Sequence, residues 1–487
     1  MKYLRLFVFL AFFQIFANTV QAESFAPRIV IIGAGLSGLT TAYRLQTYGY
    51  AVHIYEARKR PGGRILTAYF GDSHEELGGK NISDGGEAEN LCALIKEMGL
   101  SITETPIKWN TAVVFNQTVI PFSEIFENAP PPNEVTYEFI ERESSRVQSL
   151  GELLDHLITD RRLRHYLELA FSGWEGSSTF QLSSYYFQFA FWDIYQRMYE
   201  NSQLSARDEN PIKITKTIEG GNSCLIESLV NAISTPIHYG QVLEKIALSK
   251  NGSIELHFDS GAIVEADYLI LTLPCSTLRD VYIGENIIPF DQLKAIHELQ
   301  YGTNAKLLLP VQIDTKNMPK SIFTDITCTW FNADKSVMTW YYGGERGIFD
   351  DFSTESLVQV LQANLPSIYK AYPTIQFPKG ITPTPKKDEL NVSYNQPVGV
   401  SWVQDPFSKG SYSNFGVDQL EFFNEMIEIE GETVRKVFRP INNRIFFAGE
   451  HTALIFYATM EGAVESGEKA ARMLNALKKR DHILTNE

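Results

Sequence analysis

The sequence predicts an α/β fold: a parallel sheet begun near the N-terminus, interrupted by a second domain of helices and mixed sheet, and completed near the C-terminus. Three observations predict it. Residues 29–32 form an unbroken branched-apolar run, as in a strand buried on both faces, and lead straight into a Gly-x-Gly-x-x-Gly turn. Residues 268–273 and 445–447 repeat the buried-strand pattern far downstream. Between them the chain switches between helical periodicity and strand-like alternation, as an inserted domain does.

The first strand, turn and helix lie in residues 27–64, PRIVIIGAGLSGLTTAYRLQTYGYAVHIYEARKRPGGR. Gly33 permits the turn, Gly35 lets the backbone approach a pyrophosphate, and Gly38 lets the helix bearing Leu39, Ala42, Tyr43 and Leu45 pack closely on the strand. Ala34 and Ser37 complete the turn, and the helix N-terminus offers free N–H groups and a positive dipole end to phosphates. A second strand, over residues 51–55, ends at Glu56, whose carboxylate can hold two ribose hydroxyls and would repel a 2′-phosphate. The glycines alone fit a turn in many α/β proteins. Strand, glycines, helix, second strand and acid in that order define a Rossmann-like dinucleotide site that disfavours NADP. Ala57, Arg58, Gly62, Gly63 and Arg64 then make a second glycine turn flanked by cations.

With 487 residues, 44% hydrophobic and 21% charged, the chain can fill two or three domains' worth of core. Its net charge of −15 comes with no basic face for phosphate neutralisation and argues against nucleic acid. An acidic surface suits cationic substrates, but its first consequence is solubility. Residues 1–22 have the form of a secretory signal peptide: Lys2 and Arg5, an apolar run short for a membrane span, then Val20, Gln21 and Ala22 as a cleavage site. The expectation is a mature chain from Glu23 with no transmembrane anchor, periplasmic or secreted. The leader has no paired arginines, so export of an unfolded chain implies that the cofactor is acquired outside. Cys92, Cys224, Cys275 and Cys328 are widely spaced with no metal-ligand pairing, so no metal is expected. Buried free thiols are the expectation, and an oxidising compartment leaves a disulfide open.

Further along, residues 87–210 read as a helical insertion, broken by prolines at 130–132 and crowded with aromatics in SSYYFQFAFWDIYQRMYE. Those rings suit the packed face of a helix first and a substrate channel wall second. Residues 211–288 return to the first domain through a helix, LIESLVNAI, and a meander, VLEKIALS, SIELHFDS and AIVEADYLILTLP. Residues 289–438 hold strand-like NAKLLLPVQI and KSVMTWYYGG around a helical SLVQVLQANL, the sheet half of the second domain. Residues 439–478 supply the last buried strand and a long helix, and 479–487 read as a solvated tail.

The stretch EARKRPGGR resembles the flavin-containing amine oxidase family, whose members carry E-A-x-x-R-x-G-G-R after the second strand. The resemblance runs from about residue 27 to 477 and implies FAD as cofactor, in a first domain made of residues 23–86, 211–288 and 439–478. Glu76 to Ile82 match the family's acid-L-G-G-x-x-I turn beside the flavin ring, with Gly79 as the close approach. Asn81 stands where relatives have an aromatic, or in some amino-acid oxidases an arginine for the substrate carboxylate. Val242 takes the position whose backbone meets adenine. Lys306 matches the lysine that holds a water against flavin N5; by itself, a lysine in a strand is most often an edge-strand surface residue. The stretch SWVQDPFSKGSYSNF resembles W-x-x-D-P-x-x-x-G-x-Y, which implies Trp402 beside the flavin and Tyr412 over its face. Ser411 stands where monoamine oxidases attach FAD through a cysteine, which implies non-covalent FAD. In NRIFFAGEHTALIFYATMEGAVESGEKAARML, Gly449 permits backbone approach, Glu450 binds the ribityl chain, and the helix starting near Thr459 and Met460 faces the flavin's N1 and C2 oxygen. Ala458 and Thr459 resemble the small residues of flavin-dependent histone demethylases rather than the second tyrosine of many oxidases.

The implied reaction is oxidation of a small-molecule amine to an imine by hydride transfer, then hydrolysis, with O2 reduced to hydrogen peroxide. Lys306, Trp402 and Tyr412 would orient, desolvate and supply water, and Asn81, Tyr412 and Thr459 would touch substrate. An L-amino-acid oxidase, a flavin-stabilised module without turnover and a dehydrogenase serving another acceptor stay open, as does a homodimer.

Overall fold

The computed structural model describes residues 27–486, except 83–87, 108–110, 116–117, 204–212, 313–318, most of 350–392 and a few single positions. The five-stranded parallel sheet has the order Ile445–Phe447, Tyr268–Leu271, Ile29–Ile32, Val52–Glu56, Ile237–Tyr239. Ile29 stands level with Tyr268 on one side and Val52 on the other. Continuous burial of Ile29, Val30, Ile31 and Ile32 explains the unbroken apolar run, because both faces of the strand are covered. Helix Leu36–Thr47 packs on one face against helix Met460–Asn486. Gly38 is required there, since a Cβ would lie 2.1 Å from the Gly33 carbonyl oxygen. The other face is covered by the antiparallel meander Leu243–Leu248, Ile254–Phe258, Ile263–Ala266.

A second sheet of eight strands has the order Thr384–Pro385, Val398–Ser401, Ala305–Pro310, Val337–Tyr342, Cys328–Phe331, Ser321–Phe323, Thr111–Phe115, Thr118–Ile120. Helices Tyr137–Ser144, Leu150–Leu157, Arg161–Glu175 and Ser184–Gln203 gather around an aromatic core that includes Tyr166, Phe171, Phe187, Phe191 and Tyr195. Ser149 and Glu152 cap the second of these reciprocally, and Asp160 caps the third.

Two expectations need correction. The insertion is not helical from residue 87 onward: after Glu89–Glu97 come strands Ile102–Ile107, Thr111–Phe115 and Thr118–Ile120. The first pairs with Lys213–Ile218 and the second with Ser321–Phe323, so the partners that make them strands are far away in sequence. The terminal segment read as a solvated tail is helical as far as it is described, since helix Met460–Asn486 continues into it, and its exposed Arg480 pairs with Glu430. Strand Ile237–Tyr239, a segment to which the sequence pattern assigns no element, closes the parallel sheet at its edge. The leader, residues 1–22, and the helical stretch SLVQVLQANL lie outside the described residues. No helix among the described residues is long and apolar enough to cross a membrane, no group of His, Cys, Asp or Glu among them could hold a metal ion, and all four cysteines are free thiols.

Candidate active site

The carboxyl ends of the parallel strands open into one cavity of about 1900 Å3 that continues between the helices and the eight-stranded sheet. Ligands in open α/β sheets bind outside the carboxyl ends of the strands. Gly33 holds φ +108°, and a Cβ added at Gly35 would meet nothing within 4 Å, leaving room on the cavity side. Gly35 starts helix Leu36–Thr47 without a side-chain cap, so the helix end that lines the cavity is left open to an anion. Ala34 and Ser37 are buried in that turn. Glu56 accepts the N–H groups of Ala34 and Arg58, both at 2.8 Å, and lines the cavity at the end of its strand. Ala57, Arg58, Gly63 and Arg64 line the wall beyond it. Arg58 donates to Asp405 and to Ser408 Oγ (2.7 Å), so the Asp-Pro turn of residues 405–406 is tied to the cradle.

Arg64 joins the two ends of the chain: its Nη1 donates to Glu450 Oε1 and to the Ser411 carbonyl, both at 2.8 Å. Glu450 also accepts from Ser413 Oγ (2.6 Å) and from the Ala458 N–H (2.9 Å). Burial alone would raise its carboxyl, but Arg64, His451 and Ser413 hold it below the ordinary range. Its first task is therefore to organise the 450–458 loop, in which Ala458 is held at φ 63°. Thr459 is likewise committed. Its hydroxyl donates to the Phe456 carbonyl and accepts the Gly462 N–H, capping the final helix. Met460 begins that helix and packs near Gly79. At Gly449, φ is +138° and a Cβ would fall 2.5 Å from the His451 ring. Both backbone groups of Val242 are engaged by Asp259, the N–H by its carboxylate (3.1 Å) and the carbonyl by its N–H (2.9 Å), and the carbonyl keeps a second lone pair for a further donor.

Lys306 sits in the strand Ala305–Pro310, opposite Tyr341 and Val400. It is 7% exposed, which removes the edge-strand alternative. Its ammonium donates to the carbonyls of Gly78 (2.6 Å) and Glu76 (3.1 Å), inside the turn matched to the family motif. Burial brings it down to about 8, with Glu75 and Glu76 opposing the shift and Lys80 adding to it. Gly78 is the residue this turn cannot change, since a Cβ would lie 1.9 Å from the Arg64 carbonyl oxygen; Gly79 opens onto the cavity. Glu76 accepts from Thr67 Oγ1 and the Asn222 N–H, and burial raises it to about 7. Trp402 is buried beside Lys306's strand, with its indole N–H on the Leu77 carbonyl (3.3 Å). Asn81 is exposed on the cavity wall.

Tyr412 and Tyr341 meet through their hydroxyls at 3.1 Å, and the Lys306 ammonium lies 5.7 Å from the centre of the Tyr341 ring. Tyr341 is a site residue that sequence reading missed: its strand was legible, but its register opposite Lys306 was not. Trp174 and Glu175 were missed for a similar reason, because helical periodicity does not say which turn ends at a cavity. The last carbonyls of helix Arg161–Glu175 are taken in turn by side chains from the site. Asn304 donates to Gly173 (2.7 Å), Tyr412 to Trp174, Asn414 to Glu175 (3.0 Å) and Thr303 to Gly176 (3.0 Å). Ser411 Oγ donates to Asn304 Oδ1 at 2.6 Å.

An open helix end, a glycine cradle and an acid at the second strand, facing a buried lysine across an aromatic chamber, define a dinucleotide-dependent oxidoreductase. Comparison with known proteins gives the particular class. The description "Flavin containing amine oxidoreductase" matches residues 36–475, and the chain belongs to that family. It is 25% identical over 492 residues to lysine-specific histone demethylase 1 homolog 2 of Oryza sativa subsp. japonica, covering 94% of this chain and 58% of that protein. The chain thus spans little more than half of that relative. It is 23% identical to nicotine dehydrogenase of Pseudomonas putida, covering 95% of this chain and 90% of that one. In fold it is similar to cyclohexylamine oxidase from Brevibacterium oxydans, with a TM-score of 0.70, 16% identity, and 93% and 100% of the two chains covered. The cradle therefore fits the flavin the family carries.

Proposed function

We propose that the protein oxidises a small-molecule amine with non-covalently bound FAD, passing the electrons to O2. The observation that carries this reading is the deep Lys306, its ammonium aimed at the Gly78 and Glu76 carbonyls, on the chamber wall beside the cradle. FAD, when bound, supplies the hydride acceptor. Gly33, Ala34, Gly35, Ser37 and Gly38 would hold its pyrophosphate, Glu56 its ribose, and Arg64 and Glu450 the middle of the molecule. Ser411 has a hydroxyl and not a thiol at the attachment position, which supports non-covalent binding.

Lys306 then has a defined proton task. In its neutral form two hydrogens go to the two carbonyls and the nitrogen lone pair is left over, so it can take a proton from water in the chamber. Water so activated adds to the imine and releases aldehyde and ammonia or a shorter amine. Tyr412 and Tyr341, fixed by their mutual hydrogen bond, form a rigid wall that orients the amine and excludes bulk water. The N-terminus of helix Met460–Asn486 brings a positive dipole end to the cavity, which favours negative charge there.

A second reading, oxidation of an L-amino acid, draws on Arg197, which lines the chamber and could meet a carboxylate. Against it, Asp193 already holds that guanidinium at 2.7 Å and Asn81 offers no charge. The test is anaerobic bleaching of the flavin by tyramine, phenethylamine, putrescine, spermidine, lysine and phenylalanine, followed by admission of air. Bleaching by amines with rapid recovery in air supports the proposal, and bleaching by amino acids alone replaces it with the second reading. Slow recovery in air identifies a dehydrogenase, and a flavin bleached by nothing in the panel contradicts turnover of these substrates. Release of the flavin on acid denaturation checks the non-covalent link.

A further inference from the structure

Tyr412 is held at two ends. Its hydroxyl meets Tyr341 at 3.1 Å and donates to the Trp174 carbonyl, while its backbone follows Ser411 in the loop after Trp402. The side chain of Asn304 bridges the neighbours of both ends. Its Oδ1 accepts the Ser411 hydroxyl (2.6 Å), one residue before Tyr412, and its Nδ2 donates to the Gly173 carbonyl (2.7 Å), one residue before Trp174. The geometry points to Asn304 as a positioning residue, a brace that sets the ring of Tyr412 against Lys306. This rests on the amine-oxidation reading above and adds a residue to that site.

Asn304 immediately precedes the strand Ala305–Pro310 that carries Lys306, and it is 2% exposed. Lys306 and Tyr341 are held to each other by sheet pairing, and the Trp402 N–H donates to the Asn304 carbonyl at 3.2 Å. Tyr412 has no such register with Lys306. Backbone bonds tie its loop to Gly302, and another ties the helix end to Thr303, so each segment is anchored separately to the chain just before Asn304. Asn414 also reaches the helix end, at the Glu175 carbonyl (3.0 Å), but it belongs to the loop itself. Asn304 grips loop and helix end with one amide while its own backbone runs on into Lys306.

The residue type fits the task. A carboxamide offers a donor and an acceptor at once, whereas an aspartate has no donor for Gly173 unless it is protonated. Two glycines make room for the bridge. A Cβ added at Gly176 would lie 2.2 Å from Asn304 Oδ1, and one added at Gly302 would lie 2.6 Å from Ser411 Oγ. Misplacing a reacting geometry by about 1 Å can cost on the order of 100-fold in rate, so a brace on one wall of the chamber has a kinetic consequence even though it touches no substrate.

The test uses the FAD-loaded full chain and the rate of anaerobic flavin reduction by phenethylamine, or by putrescine where only that amine bleaches the wild type. Asn304→Ala removes the brace, and the limiting rate is expected to fall about tenfold or more with flavin content retained. Asn304→Asp gives the signature. Burial keeps its carboxyl protonated to higher pH, and the O–H then stands in for the amide N–H; on ionisation a carboxylate faces the Gly173 carbonyl and the bond is lost. The rate of Asn304→Asp relative to wild type is expected near one at low pH and to fall about tenfold as pH rises, whereas the ratio for Asn304→Ala stays flat. A flat ratio for Asn304→Asp, or a loss in Asn304→Ala matched by lost flavin, overturns the inference and leaves amine oxidation standing. If neither amine bleaches the wild-type flavin, the amine reading fails for both. The brace is then judged by the visible circular dichroism of the bound flavin, which changes with pH in Asn304→Asp but not in wild type if the ring shifts, and is alike in both if it does not. Should Asn304→Asp fail to fold, a cycle of Asn304→Ala and Tyr412→Phe replaces it. Releasing the ring's tip makes the brace redundant, so the double variant loses less than the product of the single losses, and a simple product overturns the inference.

Discussion

The cradle and the chamber share one cavity but are built on opposite terms. In the cradle every charged group is answered within the protein: Glu56 by two backbone N–H groups, Arg58 by Asp405, Arg64 by Glu450. In the chamber Lys306 is pushed toward neutrality and the Glu175 carboxylate has no partner among the described residues. A cofactor site is preorganised because its ligand stays, whereas a substrate site holds groups whose partners arrive with each turnover.

The comparison can be broken from either side. The largest effect is expected at Gly38→Ala, where the added Cβ lies 2.1 Å from the Gly33 carbonyl oxygen. The turn must move, and flavin absorbance per mole of purified protein should fall to near zero. Retention of full flavin content would show that the cradle is less rigid than its packing implies. Next comes Lys306→Met, with flavin content unchanged and turnover reduced about 100-fold or more, the range of lost acid–base catalysis. If turnover is unaffected, the lysine is a scaffold and not a reactant.

A third prediction concerns pH. Lys306 falls from 10.5 to about 8 in the folded chain, so between those values the unfolded chain binds more protons and stability rises with pH. The gain is on the order of 3 kcal/mol at most. Denaturant unfolding at several pH values should show it in wild type, and Lys306→Met should flatten it. The smallest effect is expected at Ala458, whose left-handed φ of 63° costs about 1 kcal/mol, part of which a glycine would return. Ala458→Gly should raise Tm by a degree or two, and a fall in Tm would mean that the loop is not strained.

What the sequence revealed follows the same division. The cradle was legible because its determinants are local: Gly33, Gly35, Gly38 and Glu56 lie within one strand-helix-strand unit, and glycine there answers to backbone geometry alone. Lys306, Trp402 and Tyr412 were found by likeness to a family pattern, and all three line the cavity. The chamber's other residues depend on distant neighbours. Tyr341 matters because it stands opposite Lys306, and Glu175 because its helix stops against Gly302 and Asn304. Strands Ile102–Ile107 and Thr111–Phe115 were misread because their partners begin more than 100 residues later in the chain, at Lys213 and Ser321. Thr459, assigned to substrate, lines the cavity, and its hydroxyl also caps a helix.

The strand order of the parallel sheet also bears on biosynthesis. Ile29–Ile32 leaves the ribosome long before its neighbour Tyr268–Leu271, and that strand in turn waits for Ile445–Phe447. Arg64 has no Glu450 to hold until 386 further residues have been made. No nascent chain ending before residue 450 can close the cofactor pocket, and pairing across such separations is slow. Loading must therefore wait until residue 450 has emerged, and a ribosome stalled before that point yields an apoprotein with its glycine turn open to solvent.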